Sequence, residues 1–493
     1  MGRRGPRRGL LLILALGIPL PAQAGCPEVL AFLADKAVTP VCLDSPDLTT
    51  NNATGSTTPA DNSLPPWPPF AYTPRIDRAV ISPDPPDRTP IQRAVPGLQV
   101  QGYFAGDRAG QARFLLRLPT AWNGKLVVAG ASGSRSEHNG DFSWSDFVVQ
   151  QGYAYASQNK GSMNFFPSTA ADPLACRVGP NPPRNQVWVH FYGNDAATPF
   201  TRWAPFMTDA ARLAQRVLAA HYGKPPGRTY AVGTSNGGYQ VRKAIEQAPD
   251  VFDGGVDWEG TMMENVLVHL PPALQHFPAY KASGRDPASP AARAIRAAGY
   301  PPDISGAGGQ SFWELHLDTF WEATACNFQK RFDPTYATYV TGLESYDLEA
   351  RAKVTDVRAR LAAVATTGKI AKPLVTVAGT MDALLPPDLH ARAYEATVRK
   401  AADAPGSAQY RYYEIQNGNH IDRWRNRTDP AVNPAETFPQ LQSIQPHAHE
   451  AFRLLVSHVE NGAPLPPSQC VPRDGRIVAA PSRPGHCAAL LAP

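Results

Sequence analysis

A mixed α/β fold, with a mostly parallel central sheet and one large insertion, is predicted by three features of this 493-residue chain. Short apolar runs bounded by turn residues alternate with helix-like stretches through the middle of the sequence. Buried strands read as such runs, and their alternation with helices is the pattern of a parallel sheet covered on both faces. A glycine-flanked serine, Gly233-Thr234-Ser235-Asn236-Gly237-Gly238, joins one run to a helix-like stretch that begins at Tyr239. About 115 residues then separate the run ending at Trp258 from the one starting at Leu374, where a crossover needs only about a dozen.

The N-terminus is basic from Met1 to Arg8, mostly apolar from Leu10 to Leu20, and small at Ala22-Gln23-Ala24. That layout predicts a secretory signal peptide (1–24) cleaved after Ala24. The apolar stretch is shorter than the roughly 20 residues that span a bilayer, and the paired arginines leave the twin-arginine and general export routes both open. Residues 25–95 begin with a helix-like stretch, Pro27 to Lys36, and then become rich in Ser, Thr, Asn, Asp and Pro, which predicts an extended arm. Strands are expected at Leu98 to Phe104, Ala112 to Leu118, Lys125 to Ala129, Tyr153 to Ser157, Thr229 to Val232, Gly254 to Trp258, Leu374 to Ala378 and Tyr410 to Ile415. Phe206 to Tyr222 and Ala448 to Glu460 are amphipathic helices. The expected domains are a catalytic core over 96–258 and 365–465, a lid or cap over 259–364, and a C-terminal tail over 466–493.

With 43% hydrophobic and 18% charged residues the chain is globular, and its 51 prolines are about twice the usual share, which implies long, stiff loops. The net charge of +5 includes Arg3, Arg4, Arg7 and Arg8, so the mature chain is close to neutral. That excludes a charge-driven nucleic-acid partner. Six cysteines suit an oxidising compartment, secreted or periplasmic, and permit 15 pairings. Closeness in sequence favours Cys26 with Cys42 and Cys470 with Cys487, leaving Cys176 with Cys326. Their spacing does not suit a thiolate metal site.

A Gly-x-Ser-x-Gly turn between strand and helix is a nucleophile elbow, the mark of the α/β-hydrolase fold, in which small neighbours let the serine occupy a strained turn. Ser235 is the candidate nucleophile. A serine hydroxyl needs a histidine to take its proton and an acid to orient that histidine, and in this fold they follow in the order serine, acid, histidine. Asp382 closes the run Leu374 to Ala378, with a helix cap or Asx-turn as its competing role, one that nearby Asp388 could fill instead. His420 follows the run Tyr410 to Ile415, and His447 and His449 are rivals at the start of a helix. Oxyanion donors are expected from the Asn236 amide and from the loop Gly130 to Ser134, with Ala131 preferred. Trp313, Trp321 and Tyr336 of the cap are candidate substrate contacts, with packing inside the cap as the alternative for each.

Leu118-Pro119-Thr120-Ala121-Trp122-Asn123-Gly124-Lys125-Leu126, the elbow with Phe252-Asp253-Gly254-Gly255, and Gly152-Tyr153-Ala154-Tyr155-Ala156-Ser157 resemble the tannase and feruloyl esterase family. That resemblance implies a secreted α/β-hydrolase acting on phenolic esters, with Ser235, Asp382 and His420 as triad. Thr234 and Ile421 stand where members typically carry a disulfide-bonded cysteine pair, and the calcium-binding acidic loop of many members has no counterpart. A second, shorter likeness is to bacterial 3-hydroxybutyrate oligomer hydrolases, through Ser235-Asn236-Gly237-Gly238, Asn159-Lys160-Gly161 and Leu465-Pro466-Pro467-Ser468-Gln469. Both imply a serine esterase on a small or oligomeric ester, with no cofactor, metal or membrane partner. A serine peptidase and a silent binding protein on the same scaffold are the alternatives.

Overall fold

Strands β1 (Ala37–Ser45), β2 (Gly97–Phe104), β3 (Arg113–Pro119), β4 (Lys125–Gly130), β5 (Ala154–Gln158), β6 (Phe165–Pro167), β7 (Ala175–Val178), β8 (Val187–Phe191), β9 (Arg228–Thr234), β10 (Gly254–Trp258), β11 (Leu374–Gly379), β12 (Tyr410–Ile415) and β13 (Gln469–Val471) form two sheets in the computed structural model. The structure describes residues 24–51, 83, 87–107, 111–133, 136–161, 165–178, 187–191, 200–425 and 437–493. The expected signal peptide, Ala24 apart, and residues 52–82 and 84–86 of the expected arm lie outside these residues.

The large sheet has the order β1-β2-β3-β5-β4-β9-β10-β11-β12-β13. Its first three strands pair antiparallel, and from β5 onward every neighbour is parallel. An antiparallel entry followed by parallel strands, with an elbow serine after β9, is the α/β-hydrolase fold. The eight strands expected from the sequence are β2, β3, β4, β5, β9, β10, β11 and β12. Period-two alternation divides the β4 side chains between two layers. Leu126 and Val128 pack with Met207, Ala214, Val241 and Ile245, whereas Val127 and Ala129 pack with Val148, Phe452 and Leu455.

Between β10 and β11 the insertion is helical, with Met263–Ala282, Pro290–Ala297 and Glu322–Phe332 among its helices. It has its own core of Phe277, Trp313, Trp321 and Phe328, continuous with Met381 and Leu384 beyond β11. The segment 466–493 is integral to the fold. It supplies β13, and the Asn417 side chain donates to the Ala492 carbonyl at 2.9 Å.

Cys26–Cys42, Cys176–Cys326 and Cys470–Cys487 are bonded, the pairing that sequence proximity favours. The middle bond joins β7 to the cap helix Glu322–Phe332 across 150 residues. Replacing both of its cysteines with serine is expected to lower the unfolding free energy by about 2–4 kcal/mol, read by urea denaturation, because the long loop regains its freedom in the unfolded chain.

Candidate active site

The site is assembled at the C-terminal ends of parallel strands. Thr234 pairs with Trp258, Trp258 with Val377, and Gly379 with Ile415. The ladder continues one residue further, with the Ser235 amide donating to Trp258 O (2.8 Å), Glu259 to Val377 O (2.9 Å) and Thr380 to Ile415 O (3.0 Å). Residues that follow four adjacent strands therefore converge.

Ser235 has φ 60° and ψ −122°, a conformation that non-glycine residues rarely adopt. The turn is tight enough that a Cβ on Gly237 would sit 2.6 Å from the Gly130 carbonyl oxygen. Glycine is required there by close approach of two backbones.

His420 Nε2 lies 2.9 Å from Ser235 Oγ, and Nδ1 lies 2.8 Å from Asp382 Oδ2. With Nδ1–H donating to the carboxylate, Nε2 is left to accept from the serine hydroxyl. Asp382 also fulfils its competing role, since Oδ1 accepts from the Leu384 (2.8 Å) and Leu385 (2.6 Å) amides. The rivals lie elsewhere: His449 stacks on Phe147 at 3.8 Å, and His447 bonds to Gln442. Asp388 pairs with Arg392.

Asn236 opens the helix Asn236–Gln247, where the first amides have no acceptor within the helix and face the N-terminal dipole. Its side chain accepts from Thr261 Oγ1 at 3.0 Å. The expectation for Ala131 is corrected: its amide donates to Gln240 Oε1 at 3.0 Å and so does not point at a substrate oxygen. The neighbouring Ser132 amide is likewise held by Asn139 Oδ1 at 3.0 Å, and Lys160 Nζ donates to the Ala131 and Ser132 carbonyls at 3.2 and 3.3 Å.

The three cap aromatics are also corrected. Trp313 and Trp321 have no exposed surface. Their indole N–H groups donate to Pro301 O (2.9 Å) and Ala383 O (2.6 Å), and their rings pack on Tyr280 and Tyr300. Tyr336 donates to Gly342 O at 2.6 Å and packs edge-on against Tyr346. All three belong to the cap's own core.

Glu259 is the residue that sequence reasoning missed. It follows β10 as Asp382 follows β11, is 2% exposed, and places Oε2 3.3 Å from His420 Nδ1. A carboxylate directly after the buried run Gly254 to Trp258 was the available signal. Glu259, Asp382 and His420 are also the one trio of metal-ligand side chains that converges among the described residues. The Asp382 and His420 atoms in that trio are already bonded to each other.

Burial drives the Glu259 carboxyl well above the usual carboxylate range, and the neighbouring Asp382 charge adds to this. Burial opposes a charged imidazole at His420, while Asp382 first and Glu259 second favour a proton there, so the coupled trio as a whole keeps one proton up to about 10. His316, which donates Nδ1–H to Phe312 O at 2.8 Å, is lowered by burial to about 4.

A family profile described as 3HB-oligomer hydrolase (3HBOH) matches residues 332–489, the stretch that carries Asp382 and His420. D-(-)-3-hydroxybutyrate oligomer hydrolases of Burkholderia lata and Burkholderia cenocepacia are 36% identical to this chain over 115 and 114 residues. Each match covers 22% of this chain and 15% of the relative's length. Among solved structures, the chain is similar to feruloyl esterase B from Aspergillus oryzae (12% identity, TM-score 0.47, 89% of this chain and 90% of that one). It is also similar to tannin acyl hydrolase from Aspergillus niger (13% identity, TM-score 0.41, 84% and 90%).

The trio gives stability a pH dependence of definite sign. In the unfolded chain a histidine releases its proton near ~6.5 and a glutamate near ~4.3, whereas the folded site retains a proton up to about 10. Its contribution is fully present below about pH 6.5 and lost as pH rises toward 10. The urea midpoint of the wild type is expected to fall between pH 7 and 10 more steeply than that of Asp382→Asn, which lacks the charge that holds the proton.

Proposed function

We propose that this protein is an exported serine hydrolase of carboxylic esters. The observation that carries the reading is the hydrogen-bonded line from Asp382 through His420 to Ser235, ending at a serine held in a left-handed elbow. Ser235 Oγ attacks the ester carbonyl while His420 Nε2 takes its proton and then delivers it to the departing alcohol. Asp382 holds the imidazole tautomer and faces the imidazolium as it forms. The Asn236 amide, at a helix N-terminus, stabilises the oxyanion. Water attacks the acyl-enzyme by the same route in reverse. Export is supported by the leader-like N-terminus and by three disulfides. No described helix is long and apolar enough to cross a membrane.

For the substrate we favour short 3-hydroxybutyrate oligomers over phenolic esters. The sequence match to oligomer hydrolases falls on the segment that carries the acid and the histidine. The rings that would have stacked on a phenolic acyl group, Trp313, Trp321 and Tyr336, are buried against Tyr280, Tyr300 and Tyr346.

The test is hydrolysis of a 3-hydroxybutyrate trimer, methyl ferulate and a peptide amide by the full chain and by Ser235→Ala. Cleavage of the trimer, reduced by about 10⁴-fold or more in Ser235→Ala, is expected, with fluorophosphonate labelling confined to the wild type. Preference for methyl ferulate would move the protein to the phenolic class, and preference for the amide to the peptidases. An unlabelled, inactive wild type would leave a binding protein on a hydrolase scaffold.

A further inference from the structure

Two carboxyl groups face one imidazole N–H. Asp382 Oδ2 is 2.8 Å from His420 Nδ1 and Glu259 Oε2 is 3.3 Å from it, on the loops after adjacent strands. Neither placement is loose. Glu259 has φ 52°, a strained value for a glutamate. The next amide, Gly260, is fixed by Asp257 Oδ1 at 2.6 Å, and Asp257 is itself held by Arg242 (2.6 Å) and Thr376 Oγ1 (2.9 Å). The Gly379 amide donates to Glu259 Oε1, while Oε2 has no hydrogen-bond partner other than the imidazole it faces.

The two carboxyls are not equivalent. Two amides donate to Asp382 Oδ1, and its bond to Nδ1 is the shorter one. One amide donates to Glu259. Around them, burial keeps His316 and His390 neutral, so neither offers a compensating cation, and Tyr300 stays an uncharged phenol. Two buried anions beside a neutral imidazole are unfavourable, and the less supported one takes a proton.

We propose that Glu259 is a positioning residue of the triad, working as a neutral carboxylic acid that holds the Nδ1 edge of His420 beside Asp382 and leaves Nε2 free to receive the Ser235 proton. The alternative distribution, ionised Glu259 with imidazolium His420, holds the same number of protons but has no base. When Ser235 gives up its proton, the imidazolium is paired with Asp382, and the Glu259 proton stays in place. This rests on the ester-hydrolase reading for its turnover assay alone.

The experiment compares full-length wild type, Glu259→Ala, Glu259→Gln, Glu259→Asp and Asp382→Asn. It measures kcat, KM and pH profile on p-nitrophenyl butyrate and the rate of fluorophosphonate labelling of Ser235, with urea midpoints as the folding control. Loss of the side chain in Glu259→Ala is expected to lower kcat by about tenfold or more with little change in KM, the signature of an interaction made in the transition state. Glu259→Gln, an amide shaped like the neutral acid, recovers most of that loss with the acid limb in place, and the shorter Glu259→Asp does not. Three kinetic results would overturn the proposal: Glu259→Gln falling as far as Asp382→Asn, its acid limb moving down by about one pH unit or more, or Glu259→Ala matching the wild type. The His420 ¹⁵N shift reads the same proton without turnover. A neutral imidazole at pH 7 in both wild type and Glu259→Gln supports the proposal, even if no ester is cleaved and the functional reading fails. An imidazolium in the wild type that becomes neutral in Glu259→Gln overturns it.

Discussion

The contact between the backbones of Gly130 and Gly237 is the constraint from which the rest of the site follows. Added Cβ atoms would fall 2.6 Å from the opposing carbonyl oxygen in both directions. Only that closeness lets the helix after Ser235 begin directly against β4 while the serine turns through φ 60°. The strain at Ser235 persists because the packed backbones around it leave no relaxed alternative. Relaxing the turn would withdraw Oγ from His420 Nε2 and shift the Asn236 amide together, so the proposed nucleophile and the proposed oxyanion donor depend on a single contact.

Electrostatics then build on this frame from behind the sheet edge. Arg242, on the helix that follows the elbow, is fully buried with Asp257, and its guanidinium lies 4.2 Å from the Tyr394 ring centroid. A buried pair of this kind adds little net stability but is costly to break. Here it fixes the segment Asp257 to Gly260 and hence the strained Glu259 backbone. The elbow helix thus supplies both the amide that follows the serine and, nearly two turns later, the anchor for the second carboxyl.

The sheet was legible in the sequence because period-two and continuous apolar runs are local signals. Eight expected strands coincide with observed ones to within about two residues at their ends, the usual latitude of boundaries. The convergence of Ser235, Asp382 and His420 was legible because each follows such a run in a fixed order. Strands β1, β6, β7, β8 and β13 were missed. They are short or lie at an edge, in segments whose polar and proline content reads as loop. The helix Met263–Ala282 was hidden by Pro271, Pro272 and Pro278. Glu259 escaped because a single carboxylate has no spacing of its own, and the expected cap boundary fell on it. Ala131 was wrong as an oxyanion donor for a different reason: Gln240, more than a hundred residues away, claims its amide, and no local pattern reports such a partner.

The cap reaches the chemistry through structure more directly than through exposed rings. Trp321 donates to the carbonyl of Ala383, the residue after Asp382, and Met381, Ala383, Leu384 and Leu385 belong to the insertion's hydrophobic core. Asp382 therefore sits on a loop whose apolar neighbours are buried by the insertion rather than by the sheet. His316, from the cap helix Phe312–His316, lies close enough to feel the charges of Asp382 and His420. An insertion that only gated substrate entry would need neither contact. Because the Asp382 loop and the insertion share one core, the Asp382–His420–Ser235 geometry requires the insertion to be folded and docked. Burial of Trp313, Trp321 and Tyr336 is then the means by which the insertion holds Asp382 in place.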